Sequence, residues 1–194
     1  MSERTVSEQS CKARLIRHPA SACSPVSRIE VRAARVWSAA WFLDLEWQMS
    51  GDLASVVMPA PVAGRREGLW KTTCLEAFYA VGDSQAYGEF NLSPTQGWAS
   101  YAFEGYRQGM KNSHEPVLIQ RERHEDRFTA AARLKLDLAN VGCSDLQPIK
   151  VGFAAIIEDQ SGGLSYWALT HLSDSPDFHN SNAFTLALPL PEPS

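Results

Sequence analysis

Trp41 to Met49 alternates with Phe42 as the one apolar residue on the polar side, and that alternation limits what the chain can fold into. Trp41, Leu43, Leu45, Trp47 and Met49 fall on one side, with Asp44, Glu46 and Gln48 on the other. A side-chain period of two puts all these large apolar groups on one face of a strand, whereas a helix would scatter them around its axis. The stripe is therefore expected to be core. The turn Ser50-Gly51-Asp52 predicts a hairpin return through Leu53–Met58. Pro59 and Pro61 would end it, since proline cannot donate to a ladder.

The same grammar recurs along the chain. Strands are expected over Lys12–His18, Ser27–Ala34, Gln85–Leu92, Gly97–Gly105, Val117–Arg123, Arg127–Leu136, Leu164–Thr170 and Ala183–Leu190. Ile149–Glu158 is nearly all apolar, as a buried central strand would be. Thr72–Val81 could carry a helical stripe, but Gly82-Asp83-Ser84 predicts a hairpin turn and favours a strand. Asp137–Cys143 is expected to be a single helical turn, and Tyr106–Ser113 a loop. About a dozen short strands with Gly and Pro turns, and no long helical pattern, imply a single all-β sandwich or barrel. Residues 1–10 are expected to be disordered, 11–190 to form the domain, and 191–194 to be a tail.

Composition excludes some classes. A net charge of −4 offers no basic face for nucleic acid. No run approaches eighteen apolar residues, so no membrane helix is expected. The polar N-terminus MSERTVSEQSCKAR lacks the apolar centre of a signal peptide, which predicts a cytoplasmic protein. The four cysteines form no CxxC pair, which predicts reduced structural thiols rather than a zinc site.

Candidate chemistry concentrates between Gly68 and Met110, which holds two of the six Trp and four of the five Tyr. In Gln85–Leu92, Tyr87, Glu89 and Asn91 point one way and Phe90 and Leu92 the other, so one face is polar where a core face would not be. The predicted hairpin brings Glu76 within cross-strand reach of Asn91. Aromatic faces beside a few carboxylates and amides are what a small polar ligand needs, and Trp70, Glu76, Glu89, Asn91 and Trp98 can supply them. Alternatively, Trp70 and Trp98 close the end of the sandwich and the glutamates are solvated. Glu76 and Glu89 would form a glycosidase pair only at suitable carboxyl separation. Arg107 can pair with Glu76, Glu89 or Asp177, contacting ligand or fixing a loop. His171 and His179 flank a loop with Asp174 and Asp177. They are candidate metal or haem ligands, with Met110 as a second axial ligand, or plain polar anchors. His18 and His171 can also simply cap strand ends. Tyr166 and Trp167 lie on opposite faces of one strand.

With the strands placed, a longer pattern emerges: Leu69-Trp70, then Thr73-Cys74-Leu75-Glu76-Ala77-Phe78, then Tyr87-Gly88-Glu89-Phe90-Asn91-Leu92-Ser93-Pro94. Trp98, Tyr101, Phe103, Tyr106-Arg107 and Gly109-Met110 continue it, followed by Ser165-Tyr166-Trp167-Ala168-Leu169, His171 and Pro176-Asp177-Phe178-His179. The pattern resembles the DOMON-like group related to family nine carbohydrate-binding modules. The resemblance implies a jelly-roll-like antiparallel β-sandwich, a bacterial source, and a ligand held on one face or rim. Relatives in this broad group bind sugars or haem. In the sugar-binding modules a Trp and a Glu six residues later hold the saccharide and a second Trp completes a clamp. Trp70 and Glu76 match the first two, and Trp167 is the candidate for the third. The expected function is a non-catalytic module for a saccharide or similar small molecule. The alternatives are a haem- or metal-binding module and a structural or protein-interaction domain.

Overall fold

The alternating stripe becomes the central strand of a five-stranded sheet. A computed structural model describes residues 9–21, 23–37, 40–136 and 147–189. In it β4 (Trp41–Gly51) pairs with β3 (Val26–Trp37) on one side and β11 (Arg127–Lys135) on the other. β1 (Gln9–Arg14) and β10 (Leu118–Arg123) form the edges. The second sheet runs in the order β2 (Ile16–Arg17), β13 (Leu164–Ala168), β12 (Ile149–Glu158), β6 (Cys74–Val81), β7 (Tyr87–Leu92), β8 (Gly97–Phe103), β5 (Gly64–Arg65). β14 (Leu186–Leu188) also pairs with β12, and β9 (Lys111–Asn112) with β8. Apart from the two-residue β5–β8 contact, the ladders are antiparallel. The fold is an antiparallel β-sandwich, as the alternation requires.

The core lies between the sheets. Leu43, Leu45, Trp47 and Met49 are buried there, with Trp41 partly buried at the end of the stripe. Across from them stand Leu75, Ala77, Phe90, Leu92, Phe153 and Ala155 of the larger sheet. Trp47 meets Phe153 edge-on at 5.2 Å, one of the contacts that joins the layers.

Several boundaries differ from expectation. Lys12–His18 is not one strand. It breaks at buried Leu15, whose N–H donates to Ile29 O at 2.9 Å, so that β1 joins the small sheet and β2 the large one. Gln9 and Ser10 belong to β1, paired with Arg35 and Ala34, rather than to a disordered leader; residues 1–8 lie outside the described residues. Leu53–Met58 is not a hairpin partner of β4, because β3 and β11 already fill both of its edges. It forms a 3-10 turn at Leu53–Ser55 and a single bridge from Val56 to Asp159. The Tyr106–Ser113 loop contains β9, and the predicted turn at Asp137–Cys143 and the tail at 191–194 lie outside the described residues.

The larger sheet is buried on both faces in its middle. Every residue of β6 and β7 is buried. Their outer face carries a second cluster, Phe78, Ala80, Tyr87, Tyr101, Phe103, Ala154, Ala168 and Phe184, with Phe178 packed against it. Residues 172–185 lie over this face. Gly152 on β12 makes room for it, since a Cβ there would press on the Phe184 ring. Phe184 stacks on Phe78 with centroids 5.7 Å apart.

Candidate ligand pocket

The polar face read from β7 opens into a cavity of about 510 Å³ on the outer side of the larger sheet. Sheet register places its floor. Glu76 of β6 stands opposite Asn91 of β7, Glu89 is paired with Phe78 on one side and Tyr101 on the other, and Tyr87 is opposite Phe103. Side-chain alternation then sends Glu76, Tyr87, Glu89, Asn91, Tyr101 and Phe103 outward together. Ile156 of β12 and Tyr166 of β13 extend the floor. Residues 104–110 contribute Arg107 and Met110 to the rim, and residues 172–185 contribute Pro176, Phe178 and His179. Trp70, in the 3-10 turn Leu69–Lys71 that precedes β6, stands at the mouth and is 42% exposed.

A hydrogen-bonded chain crosses this space. Asp177 accepts from Tyr106 OH at 2.9 Å, from the Arg107 guanidinium at 3.0 Å and from the His179 backbone N–H at 3.2 Å. The Arg107 N–H donates to Tyr87 OH at 3.2 Å, and that hydroxyl lies 2.8 Å from His179 Nδ1. With a proton on Nε2, His179 Nδ1 accepts from the Tyr87 hydroxyl; with a proton on Nδ1, it donates to that hydroxyl. Nε2 faces Glu89 Oε2 at 3.8 Å, and Glu89 Oε1 accepts from Asn91 Nδ2 at 2.6 Å. Arg107 has φ +53°, in the left-handed region where a non-glycine residue is strained, and its contacts with Asp177 and Tyr87 hold it there.

Burial sets the protonation of the site. Glu76 and Glu89 are 4% and 5% exposed. Loss of solvent, then the neighbouring Glu89 charge, push Glu76 well above the usual carboxylate range, against the pull of Arg107. Loss of solvent pushes Glu89 up to about 7, against the Asn91 amide and Arg107. His179 sits among the rings of Phe78, Tyr87 and Phe103 at centroid distances of 5.2, 5.9 and 5.3 Å. Burial there, with the Arg107 charge, lowers it to about 4, so it is neutral at pH 7. Burial works to raise Asp177, but the bonds from Tyr106 and Arg107 outweigh it and keep it ionised. The Cys74 thiol is driven up by burial and by both glutamates, so it is no nucleophile.

Of the residues expected from the sequence, Trp70, Glu76, Glu89, Arg107 and His179 line one cavity, with Tyr87 and Asn91 bonded to its members. Arg107 pairs with Asp177, not with either glutamate. Trp98 and Trp167 do not belong to the site. Both turn into the core between the sheets, because each lies at odd spacing from an outward neighbour, Tyr101 and Tyr166 respectively. His171 is also elsewhere: its Nε2 lies 2.8 Å from Ile16 O and its ring meets His18 edge-on at 4.6 Å, an anchor for a strand end. His171 and His179 therefore share no site. Among the described residues no three His, Cys, Asp or Glu gather as metal ligands. Placed apart, His171 and His179 cannot ligate one metal ion or one haem iron together. Sequence reasoning missed Tyr101, Phe103, Ile156, Tyr166 and Phe178 as pocket walls. The first two follow from extending the β7–β8 register, whereas Phe178 lies in a loop without period.

No protein-family model matches the chain, and no curated protein matches it. Among solved structures, a Bacteroides uniformis protein described as a candidate carbohydrate-binding protein is similar in fold, with a TM-score of 0.58 at 12% identity. The match covers 90% of this chain and 84% of that one. At that identity the likeness shows a shared β-sandwich fold, and a fold alone does not specify a ligand.

Proposed function

We propose that this chain is a non-catalytic ligand-binding module of the DOMON-like type, and that its ligand is a saccharide or a similar small polar molecule seated on the outer face of the larger sheet. The observation that carries the reading is the cavity itself. Two buried carboxyls stand on its floor, aromatic rings form its walls, and an exposed tryptophan stands at its mouth. A core has no use for buried glutamates, whose desolvation costs stability, and a solvated surface would not bury them. Trp70 beside Glu76 is also the pair that the family resemblance assigns to saccharide contact, and the fold of the Bacteroides uniformis protein is consistent with it. With Trp167 in the core, Tyr101, Phe103, Tyr166 and Phe178 are the aromatic residues that line the pocket together with Trp70.

The test is Trp70→Ala. Because Trp70 is largely outside the core, the variant is expected to unfold within about 1 kcal/mol of the parent. Intrinsic fluorescence titrations with mono- and disaccharides should show binding by the parent, weakened at least about tenfold in the variant, which corresponds to ~1.4 kcal/mol. Equal affinities in parent and variant would reject the pocket as the binding site.

A further inference from the structure

We propose that the pocket takes a protonated amine, a small polyhydroxylated or aliphatic molecule whose ammonium group docks between Glu76 and Glu89 while its body lies against the aromatic walls. The inference rests on the pocket being a ligand site and names the class of ligand.

The first support is the inventory of free polar atoms. Asn91 is fully buried; its amide N–H is used on Glu89, and its Oδ1 has no hydrogen-bond partner. The His179 and Tyr87 groups are already joined to each other. Among the lining groups, the carboxyl oxygens of Glu76 and Glu89 are the acceptors an arriving cation would meet, with the Tyr101 and Tyr166 hydroxyls, which can accept as well as donate, beside them. An ammonium group carries three donors and no acceptor, the complement of such a floor.

The second support is charge. Arg107 is the cationic side chain lining the cavity; it is half exposed and committed to Asp177. An ionised carboxylate pair so deeply buried is costly unless a positive charge accompanies it. A cationic ligand supplies that charge, and a neutral sugar does not. The third support is the wall: the faces of Trp70, Tyr101 and Tyr166 attract cations as well as C–H surfaces.

Amine binding is then coupled to proton release. The groups around Glu89 are Glu76 and Cys74 from β6, Tyr87 on its own strand, Tyr101 from β8, and Arg107, Asp177 and His179 from the covering loops. Of these, Glu76 and Glu89 are the groups that an arriving ammonium would shift toward ionisation at neutral pH, since His179 and the tyrosines stay neutral and Asp177 stays charged.

Calorimetric titrations of the full chain with glucosamine against glucose, and with butylamine against butanol, test this between pH 5 and 7. Each amine should bind at least about tenfold tighter than its neutral counterpart at pH 7. The advantage should shrink by up to about tenfold per pH unit below 7 for each proton displaced. Heats measured in buffers of different ionisation enthalpy should report proton release for the amines alone. The double variant Glu76→Gln, Glu89→Gln, checked by thermal unfolding, should lose both the preference and the proton release. Neutral partners binding as tightly as amines without proton release, or amines binding the double variant unchanged, would overturn the amine assignment and leave the pocket reading standing. If no member of either pair binds, and the saccharide titrations are also silent, both readings fall.

Discussion

Replacing Glu89 with Gln should stabilise this protein, and should do so only above the acid range. Glu89 is nearly inaccessible, and its carboxyl rises from an ordinary 4.5 to about 7, chiefly because burial disfavours the charged form. An acid with a raised folded pKa is protonated more readily in the folded chain than in the unfolded one. Its cost is therefore absent below about 4.5, grows as pH climbs toward 7, and is constant above that. At about 1.4 kcal/mol per pKa unit, the full cost of ionised Glu89 approaches ~3 kcal/mol. Gln has nearly the same shape, and its Oε1 can accept the Asn91 amide bond that Glu89 accepts at 2.6 Å. The substitution also removes the charge that helps to raise Glu76, a change of the same sign, while Arg107 loses an attractive neighbour, a change of the opposite sign. The expected gain is about 1–3 kcal/mol at pH 8 and close to zero at pH 4.5. Urea unfolding of parent and Glu89→Gln, followed by tryptophan fluorescence at half-unit steps of pH, gives the difference directly. A difference that stays flat across this range, or a variant less stable than the parent at pH 8, would refute the claim that the floor of the pocket is a desolvated acid.

Two further perturbations probe the surroundings. Gly88→Ala should cost about 1–3 kcal/mol by overpacking, because a Cβ at Gly88 would fall within the ring of Tyr79 directly across the β6–β7 ladder, whereas Gly105→Ala, with open space at its Cβ, should change stability by less than about 0.5 kcal/mol. Thermal unfolding compares them, and equal effects would argue against the Tyr79–Gly88 approach. Asp177→Ala removes the acceptor of Tyr106, Arg107 and the His179 N–H. With the site partly exposed it should lower global stability by only about 1 kcal/mol, yet raise amide exchange in residues 104–110; unchanged exchange would mean that the strained Arg107 turn holds without it.

How much of this was visible in the chain follows from which faces of each strand are covered. β4 is buried on one side, so Trp41, Leu43, Leu45, Trp47 and Met49 announce the core by contrast with Asp44, Glu46 and Gln48. β7 is nearly as legible, because Tyr87, Glu89 and Asn91 are polar or amphipathic and Phe90 and Leu92 are not. β8 is buried on both faces and β13 is buried on one and half-buried on the other, and there the contrast fades: Trp98 and Tyr101, or Trp167 and Tyr166, are both large and aromatic. Polarity cannot assign them. Register can, since Tyr101 stands opposite Glu89 in the ladder, and Trp167 opposite core residue Ala155. Trp98, read from the aromatic density of the central stretch, and Trp167, read from the family resemblance, therefore fall in the core, whereas strand parity propagated from β7 points to Tyr101 and Tyr166. The split between β1 and β2 was equally hidden, because a strand that changes sheets at Leu15 keeps its alternation while exchanging partners.

The chemistry of the site was less legible than its residues, for a different physical reason. Glu76 and Glu89 could be placed on one face from sequence, but a carboxylate on an uncovered sheet face would be an ordinary surface acid. Their protonation changes because residues 172–185 settle over the sheet through Phe178 and Phe184, and because Tyr106 and Arg107 tie residues 104–110 to Asp177. Those covering segments have no hydrophobic period. Their position depends on single contacts, such as Phe184 entering the space left by Gly152, that no pattern spells out. The functional character of the pocket thus resides in its cover as much as in its floor. Loosening the cover would return Glu89 toward its ordinary pKa before it disturbed the core, so the pH dependence of Glu89 reports the integrity of the site independently of the stability of the fold.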